Sequence, residues 1–577
     1  MKRSLFRLKW SCLVLSSLLA LLIAASARQV NAQPSLPDIV RFLRQATFGP
    51  TPDLIRHVRE IGFEAFLDEQ FDENITPRSD YPLFDREGRE MDLMPFNRDN
   101  ATCPSPSICL TDNYTLYPLQ VHFFNNALYR EDQVRQRIAW ALSQILVTSG
   151  AEAQLFRAGR MRHYQQLLYE NALGKYRDIL YKVTLSPAMG RYLDMVDNRC
   201  QTPTPPDPNI CRNGLAVKPN ENYAREILQL FSIGVYMLNP DGTLQADENG
   251  DPIFSYDQDT IEEFSRVFTG WTFAPQLAPG IVNYRDPMRV FLQAGFEARH
   301  DKGPKTLLNG FELPGGQSAE EELNAAIDNI ISHPNTAPFI SKILIQNLVT
   351  SNPSPAYVER VSTVFSANVD SPTQLFEVVK AILLDEEARG DFRDPATEPV
   401  YGKLSEPVLF VTSLLRAFNA TSDGVLAGSP RGGVRSFVGE MDQAPFLSPT
   451  VFNFFQYADT EVPGYEGVSG PEFGIQSSVT AIRRANFVNT IVFSGIPPLT
   501  VDRPVGTSID LSRWEALAAD PDRLIGRLNQ LLLHRSMSQE MRDIITAAVS
   551  DPDTDPLTRA QTAIYLIVTS SQYQVQR

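Results

Sequence analysis

Apolar residues recur along most of the chain at three- and four-residue intervals, the spacing that lines one face of an α-helix. Over 131–147, for example, Val134, Ile138, Ala141, Leu142 and Ile145 fall at helical positions. The same pattern predicts helices at 38–45, 51–62, 63–71, 119–129, 162–172 and 176–185. Others are predicted from 219 to near Gly234, at 260–268, and at 319–332, 336–349, 355–365, 372–384 and 406–417. The last group is 479–489, 521–533, 538–549 and 557–569. Thr51-Pro52 and Asp520-Pro521 pair an N-cap residue with proline at the first helical position. Thr260-Ile261-Glu262-Glu263 reads as a capping box with Thr260 as N-cap. Four stretches break the period: 73–116, 197–219, 272–315 and 421–480. In the third, Phe291, Ala294, Phe296 and Leu307-Leu308, flanked by Gly and Pro, predict a small β-hairpin excursion. Asn239-Pro240-Asp241-Gly242 predicts a turn. No fixed-period repeat is present. The pattern predicts a mainly α fold: a large multi-helical globular domain with long loops and that β excursion near 272–315.

Composition adds compartment to this picture. Hydrophobic residues make up 43% of the 577 and charged residues 21%, enough for a large core. Residues 1–32 read as a signal peptide: Lys2, Arg3, Arg7 and Lys9 precede the apolar run Leu13 to Ala25. Small-residue sites then allow cleavage after Ala27 or Ala32. The run is shorter than the roughly 20 residues of a spanning helix, so no stable membrane span is expected after cleavage. The formal charge is −16. Cleavage would remove five basic side chains (Arg28 is the fifth) and no acidic one. Acidity of this size argues against nucleic acid as a partner, which requires clustered Lys and Arg. The expected location is periplasmic or extracellular. In that oxidising space the four remaining cysteines admit three pairings. Adjacent pairing, Cys103–Cys109 and Cys200–Cys211, is expected because each pair shares one loop, making the loops disulfide-stapled. The gaps are wider than the C-x2–4-C spacing of structural zinc.

The densest polar chemistry lies between Pro219 and Asp301. On a helical wheel Asn222, Arg225, Glu226 and Gln229 form one stripe, with Tyr223, Ile227, Leu230 and Phe231 opposite. Two explanations stand side by side: a solvated stripe with an ordinary Glu221–Arg225 pair, or a buried, fully hydrogen-bonded network. Gly270 suits a helix stop, with Trp271 beside it. Glu297-x-x-His300 has the spacing of a di-iron helix, but its surroundings read as strand or loop. The other histidines show no mutual ligand spacing, so no metal ligand is assigned and cofactors are left unknown. No nucleophile elbow, zincin helix, P-loop or dinucleotide fingerprint is present.

Several motifs together carry a resemblance. They are Arg44-Gln45-Ala46-Thr47-Phe48-Gly49-Pro50-Thr51, Asn220-Glu221-Asn222-Tyr223-Ala224-Arg225-Glu226 and Phe268-Thr269-Gly270-Trp271. His300-Asp301-x-Gly303-x-Lys305-Thr306 and the terminal Ser571-x-Tyr573-Gln574-Val575-Gln576-Arg577 complete the set. In order and spacing the chain resembles the bacterial domain-of-unknown-function 1800 family over nearly all of 38–577. The resemblance implies a large, mostly helical, exported protein in one continuous domain, where length alone suggests two to four. A subdivision near 315 would separate a motif-bearing N-terminal half, 38–315, from a helical C-terminal half, 316–577. It implies a polar signature on Asn222, Arg225, Glu226, Gly270, Trp271, His300 and Asp301. Many members carry a Trp-His-x-His-Phe run where this chain has Leu142-Ser143-Gln144-Ile145-Leu146. Any role of those two histidines is therefore missing here.

Two functional readings follow, and whether the chain is an enzyme stays open between them. In one, the chain is a non-catalytic cell-envelope or extracellular binding or assembly protein, with an envelope protein or polysaccharide as partner. In the other it is an extracytoplasmic hydrolase-like enzyme. Glu226, His300 and Asp301 are then the catalytic candidates, and Asn222, Arg225, Trp271 and Lys305 the binding candidates.

Overall fold

A computed structural model of the chain describes residues 33–82, 90–93, 115–199, 218–293, 295–297, 299–389, 398, 400–424, 437–457, 460–498 and 505–577. Residues 1–32, read above as a signal peptide, and Cys103, Cys109, Cys200 and Cys211, expected to pair, lie outside them. Helices dominate the described residues, and the strands there are two-residue antiparallel pairs, so the fold is mainly α. Local chemistry sets several helix starts as expected. Thr51 accepts the Leu54 amide at 3.1 Å, and Pro52 opens that helix, Pro52–Ile61. Asp520 does the same for Arg523 at the head of Pro521–Leu532. Among the described residues no helix is long and apolar enough to cross a membrane.

Helix Thr336–Leu348 packs on Pro355–Ala367, which packs on Gln374–Leu384. Ser478–Phe493, Ser512–Leu517 and Gln539–Val549 gather around Pro556–Thr569. Asn222–Gln229 lies on Gln258–Val267, which in turn lies on Ala319–Ser332. Apolar side chains of these elements form one buried cluster running from Ile39 to Tyr573.

The first and last motifs close the fold on itself. Arg44, buried, donates to Ser405 Oγ at 3.2 Å and to the Tyr573 carbonyl at 3.3 Å, with its guanidinium over the Tyr573 ring. Val575–Gln576 pairs with Lys403–Leu404, and Gln576 Nε2 caps the Leu348 carbonyl at 2.8 Å. Gly49 sits at φ +129°, and a Cβ there would lie 2.4 Å from Ser413 Cα. That close approach brings the Gly49 carbonyl to Arg416 Nε at 2.7 Å. Arg416 also holds the Ala127 and Leu128 carbonyls, orphans of the last turn of Tyr117–Tyr129. Burial pushes its guanidinium down to about 9. These motifs therefore have structural work that spacing alone did not reveal.

The expected β excursion is present as three small pairs: Trp271–Thr272 with Arg289–Val290, Leu292–Gln293 with Phe296–Glu297, and Lys305–Thr306 with Glu312–Leu313. The turn at 239–242 belongs to a larger arm than expected. Met237 N donates to Ile253 O, Ile253 N to Gln245 O, and Gln245 N to Met237 O, so three short segments each bond the other two. Two expectations need correction. The helix from the Asn222 region ends at Gln229 rather than near Gly234, and turns continue to Gly234 at φ +73°. The next helix begins at Gln258, not Thr260, because Asp257 is the N-cap and takes both the amide and the hydroxyl of Thr260. The capping box does not form, and Glu263 turns inward instead.

Gly49→Ala combines a left-handed backbone with a clash against a backbone atom. It is expected to lower unfolding stability in urea by about 2–3 kcal/mol.

Candidate functional site

The polar signature divides into two places. On Asn222–Gln229, Arg225 pairs with Glu221 at 3.1 Å and reaches Gln258, which itself donates to Glu221 at 2.8 Å. The Asn222 side chain reaches Asp194 at 3.5 Å, and its backbone amide donates to Asn220 Oδ1 at 2.8 Å. This is the solvated stripe, half-exposed and locally paired. Among the described residues no hydrogen bond or ion pair links it to His300 or Asp301.

The other place is a buried ionic network. Arg266, in the last turn of Gln258–Val267, grips Asp301 with Nε at 2.8 Å and Nη2 at 3.2 Å, the forked geometry that guanidinium favours. Its Nη1 takes Glu263, one turn back, and the Pro304 carbonyl at 3.0 Å. Burial opposes the Arg266 charge, yet its two carboxylates outweigh burial and hold its pKa above the ordinary value. Asp301 Oδ1 also receives the Gly303 amide at 2.8 Å. Lys305 Nζ donates to the Asp301 and Gly303 carbonyls at 2.6 and 2.9 Å and meets Glu322 at 2.6 Å. These three partners match its three N–H groups. Burial lowers the Lys305 pKa against the pull of Glu322. The side chains of His300, Lys305 and Glu322 are fully buried.

Thr269 and Gly270 place His300. The Thr269 hydroxyl accepts the Asp301 amide at 2.9 Å, and a Cβ on Gly270 (φ +90°) would lie 2.9 Å from His300 Cβ. His300 Nδ1 is 3.1 Å from the Thr269 carbonyl oxygen, which can only accept, so Nδ1 carries a proton. Nε2 faces Glu322 at 3.3 Å, where a hydrogen bond requires a further proton on the ring or on the carboxyl. Trp271 is buried beside this network, and its Nε1 has no hydrogen-bond partner. Of the candidates from sequence, His300, Asp301 and Lys305 meet here; Asn222, Arg225 and Glu226 do not. Glu263, Arg266 and Glu322 were missed as members. Glu322 left a faint signal, as an acid on the apolar stripe with Leu323, Ala326 and Ile330.

Glu226 is a third case. It is 6% exposed, and its Oε2 has no hydrogen-bond partner. Burial raises its pKa to about 7, with Arg225 pulling the other way. Tyr192 and Tyr256 are both raised to about 12, by burial first; the Glu226 charge adds to this at Tyr192, and at Tyr256 Arg225 opposes it.

A second polar core was not anticipated at all. Glu406 accepts from Trp140 Nε1 at 2.9 Å, Gln443 Nε2 at 2.6 Å and Gln144 Nε2 at 3.4 Å. Lys403 meets Glu472 at 3.0 Å, and Arg137 Nη2 donates to the Asn347 carbonyl at 2.6 Å. Trp140 and Gln144 lie on Gln133–Ile145, the helix that lacks the two histidines. There Ser143 bonds the Trp140 carbonyl and Ile145 is core. Among the described residues no cluster of three or more His, Cys, Asp or Glu is arranged to hold a metal.

Asp301→Asn removes the carboxylate charge that Arg266 grips in a buried site. It is expected to destabilise the fold by about 3–5 kcal/mol, measured by chemical denaturation. Glu226→Gln should act in the opposite sense. A carboxyl raised from 4.5 to about 7 on folding contributes fully below its unfolded value, and that contribution is lost as pH rises through about 7. The variant should therefore gain about 1–2 kcal/mol over wild type at pH 8, after allowance for solvent screening, and nothing at pH 4. Unfolding midpoints across that pH range check it.

No curated protein and no solved structure matches the chain. The family described as "Protein of unknown function (DUF1800)" matches residues 41–575, a span that holds both polar cores and nearly all of the closing C-terminal motif. The chain belongs to the DUF1800 family.

Proposed function

We propose that this protein is an exported, non-catalytic component of the cell envelope that binds an envelope protein or polysaccharide. One observation carries the reading. The signature His300-Asp301-x-Gly303-x-Lys305 is consumed by internal contacts with Arg266, Thr269 and Glu322, and its side chains are closed to solvent. A catalytic group must reach substrate, and these groups reach one another. The pattern of residues 1–32 supports export. Two excursions supply surface for a partner: Tyr236, Leu244 and Phe254 are exposed on the 235–255 arm, with the Tyr236 and Phe254 rings 5.2 Å apart, and Leu292 and Phe311 on the 271–313 segment. Exposed aromatic groups of this kind mark interaction surfaces more often than isolated aliphatic ones.

The hydrolase-like alternative keeps one specific support, Glu226, a buried carboxyl with an open oxygen and a pKa near neutrality. In that reading Glu226 is the general base and Arg225 a clamp. The two readings separate on one preparation. The purified mature chain should cosediment with isolated envelope polysaccharide or envelope protein while releasing no fragment from it, and Glu226→Gln should bind equally. Fragment release by wild type that Glu226→Gln abolishes would replace the binding reading with the enzymatic one.

A further inference from the structure

The arm over residues 235–255 turns one apolar face to solvent. Its three short segments meet in antiparallel pairs: Tyr236 with Phe254, Leu238 with Leu244, and Ala246 with Pro252. Paired residues of neighbouring strands lie on one side, as do alternate residues along a strand, so all six side chains share a face. Five of them are apolar and the sixth is a tyrosine. Among the described residues, none of the six belongs to the buried apolar cluster. Tyr236, Leu244 and Phe254 are 38%, 53% and 65% exposed, and Ala246 and Pro252 are exposed as well.

The base of the arm is fixed. Asn335, fully buried, accepts the Leu238 amide at 2.9 Å and donates to the Ile233 and Tyr236 carbonyls at 2.9 and 2.8 Å. Ser362 holds the Pro240 carbonyl at 2.7 Å, and a Cβ on Gly242 (φ +75°) would lie 2.9 Å from Val358 Cγ1. The face is therefore preformed, and a preformed surface loses little order when a partner binds. Its surroundings are acidic. Asp241, Asp247, Glu248 and Asp251 lie on the arm, Asp257 and Asp259 follow it, and no Lys or Arg stands between Arg225 and Arg266. Lys342 meets the arm at its anchored turn, donating to the Gly242 carbonyl at 3.3 Å. The Thr243 hydroxyl and the Asp251 amide hold the Asp241 and Asp247 carboxyls, respectively, below their ordinary values, so both stay charged at neutral pH.

We infer that this face docks a basic amphipathic segment of a partner protein, its apolar side chains on Tyr236, Leu244 and Phe254 and its Lys or Arg groups among the surrounding carboxylates. An apolar centre buries the contact, and complementary charge around it steers the partner and fixes its register. Other occupants fit less well. A sugar chain needs several placed hydrogen-bonding groups, and the Tyr236 hydroxyl is the one such side-chain group among the six. An anionic lipid surface or a second copy of this chain would set negative charge against the acidic surroundings. The inference deepens the binding reading above, rests on it, and assigns its protein half to this face.

Fluorescence polarisation of a short labelled peptide, Leu and Lys at helical spacing, tests it on the full mature chain. The peptide should bind, at least about tenfold more weakly when salt rises from about 0.05 to about 0.5 M. The same peptide with Glu in place of Lys should not bind, nor should phosphatidylglycerol vesicles by cosedimentation or cellohexaose by calorimetry. Phe254→Ser, and Glu248→Gln with Asp251→Asn, alter exposed side chains. Each should weaken the Leu/Lys peptide by at least about tenfold while unfolding near the wild-type midpoint. If either fails to fold, Tyr236→Ser serves in its place, and the salt and Glu-peptide comparisons need no variant. Absent Leu/Lys binding, equal binding by the folded variants, or equal binding of the Glu peptide would each overturn the site. Binding of vesicles or cellohexaose, or self-association, that Phe254→Ser abolishes would overturn the assigned partner. Failure here with retained cosedimentation on envelope material overturns this site alone; failure of both overturns the binding reading too.

Discussion

The forked pairing of Arg266 with Asp301 is the contact on which the middle of the molecule depends. It joins the end of one helix to a segment with almost no regular structure of its own. Among the described residues of 271–313 the regular structure is two-residue strand pairs and the short 3-10 turn Leu308–Gly310, too little to be stable unaided. What fixes it is polar: Asp301 on Arg266, Lys305 on Glu322, and the Thr269 hydroxyl on the Asp301 amide. Charges taken this far from water are tolerated only when each has partners in good geometry. The network meets that condition at Arg266 and Asp301, whereas His300 Nε2 and both Glu322 oxygens are buried with ion-pair contacts and no hydrogen bond. Its role is to specify one position for the excursion and, through Glu322, to lock that excursion onto helix Ala319–Ser332.

Much of the helical framework could be read from periodicity, because burial of an apolar stripe writes itself into sequence at fixed intervals. Caps such as Thr51 and Asp520 could be read for the same reason: they act on neighbours three residues away. Contacts between distant segments left no such trace. Nothing local in Arg416 says that it gathers carbonyls from Gly49, Ala127 and Leu128, and nothing in Glu406 says that Trp140 and Gln443 will meet it. The capping-box expectation at Thr260 failed for a related reason. Asp257, three residues earlier, caps the helix by taking both the amide and the hydroxyl of Thr260.

The motif His300-Asp301 shows how reactive-looking residues can be committed to structure. Adjacent residues in extended chain point to opposite sides, and here each side is occupied: His300 lies toward Thr269 and Glu322, Asp301 toward Arg266. Family membership ties this motif to the others. Arg44, Gly49, Tyr573 and Gln576 also serve contacts that close the fold. These residues therefore define an architecture.

The most direct test of that account is a double-mutant cycle on Arg266 and Asp301, using Arg266→Met, Asp301→Leu and the pair, with unfolding free energy as the readout. A structural network predicts a coupling of about 2–3 kcal/mol, with the double variant no less stable than either single one. A coupling below about 0.5 kcal/mol, with both single variants as stable as wild type, would contradict it.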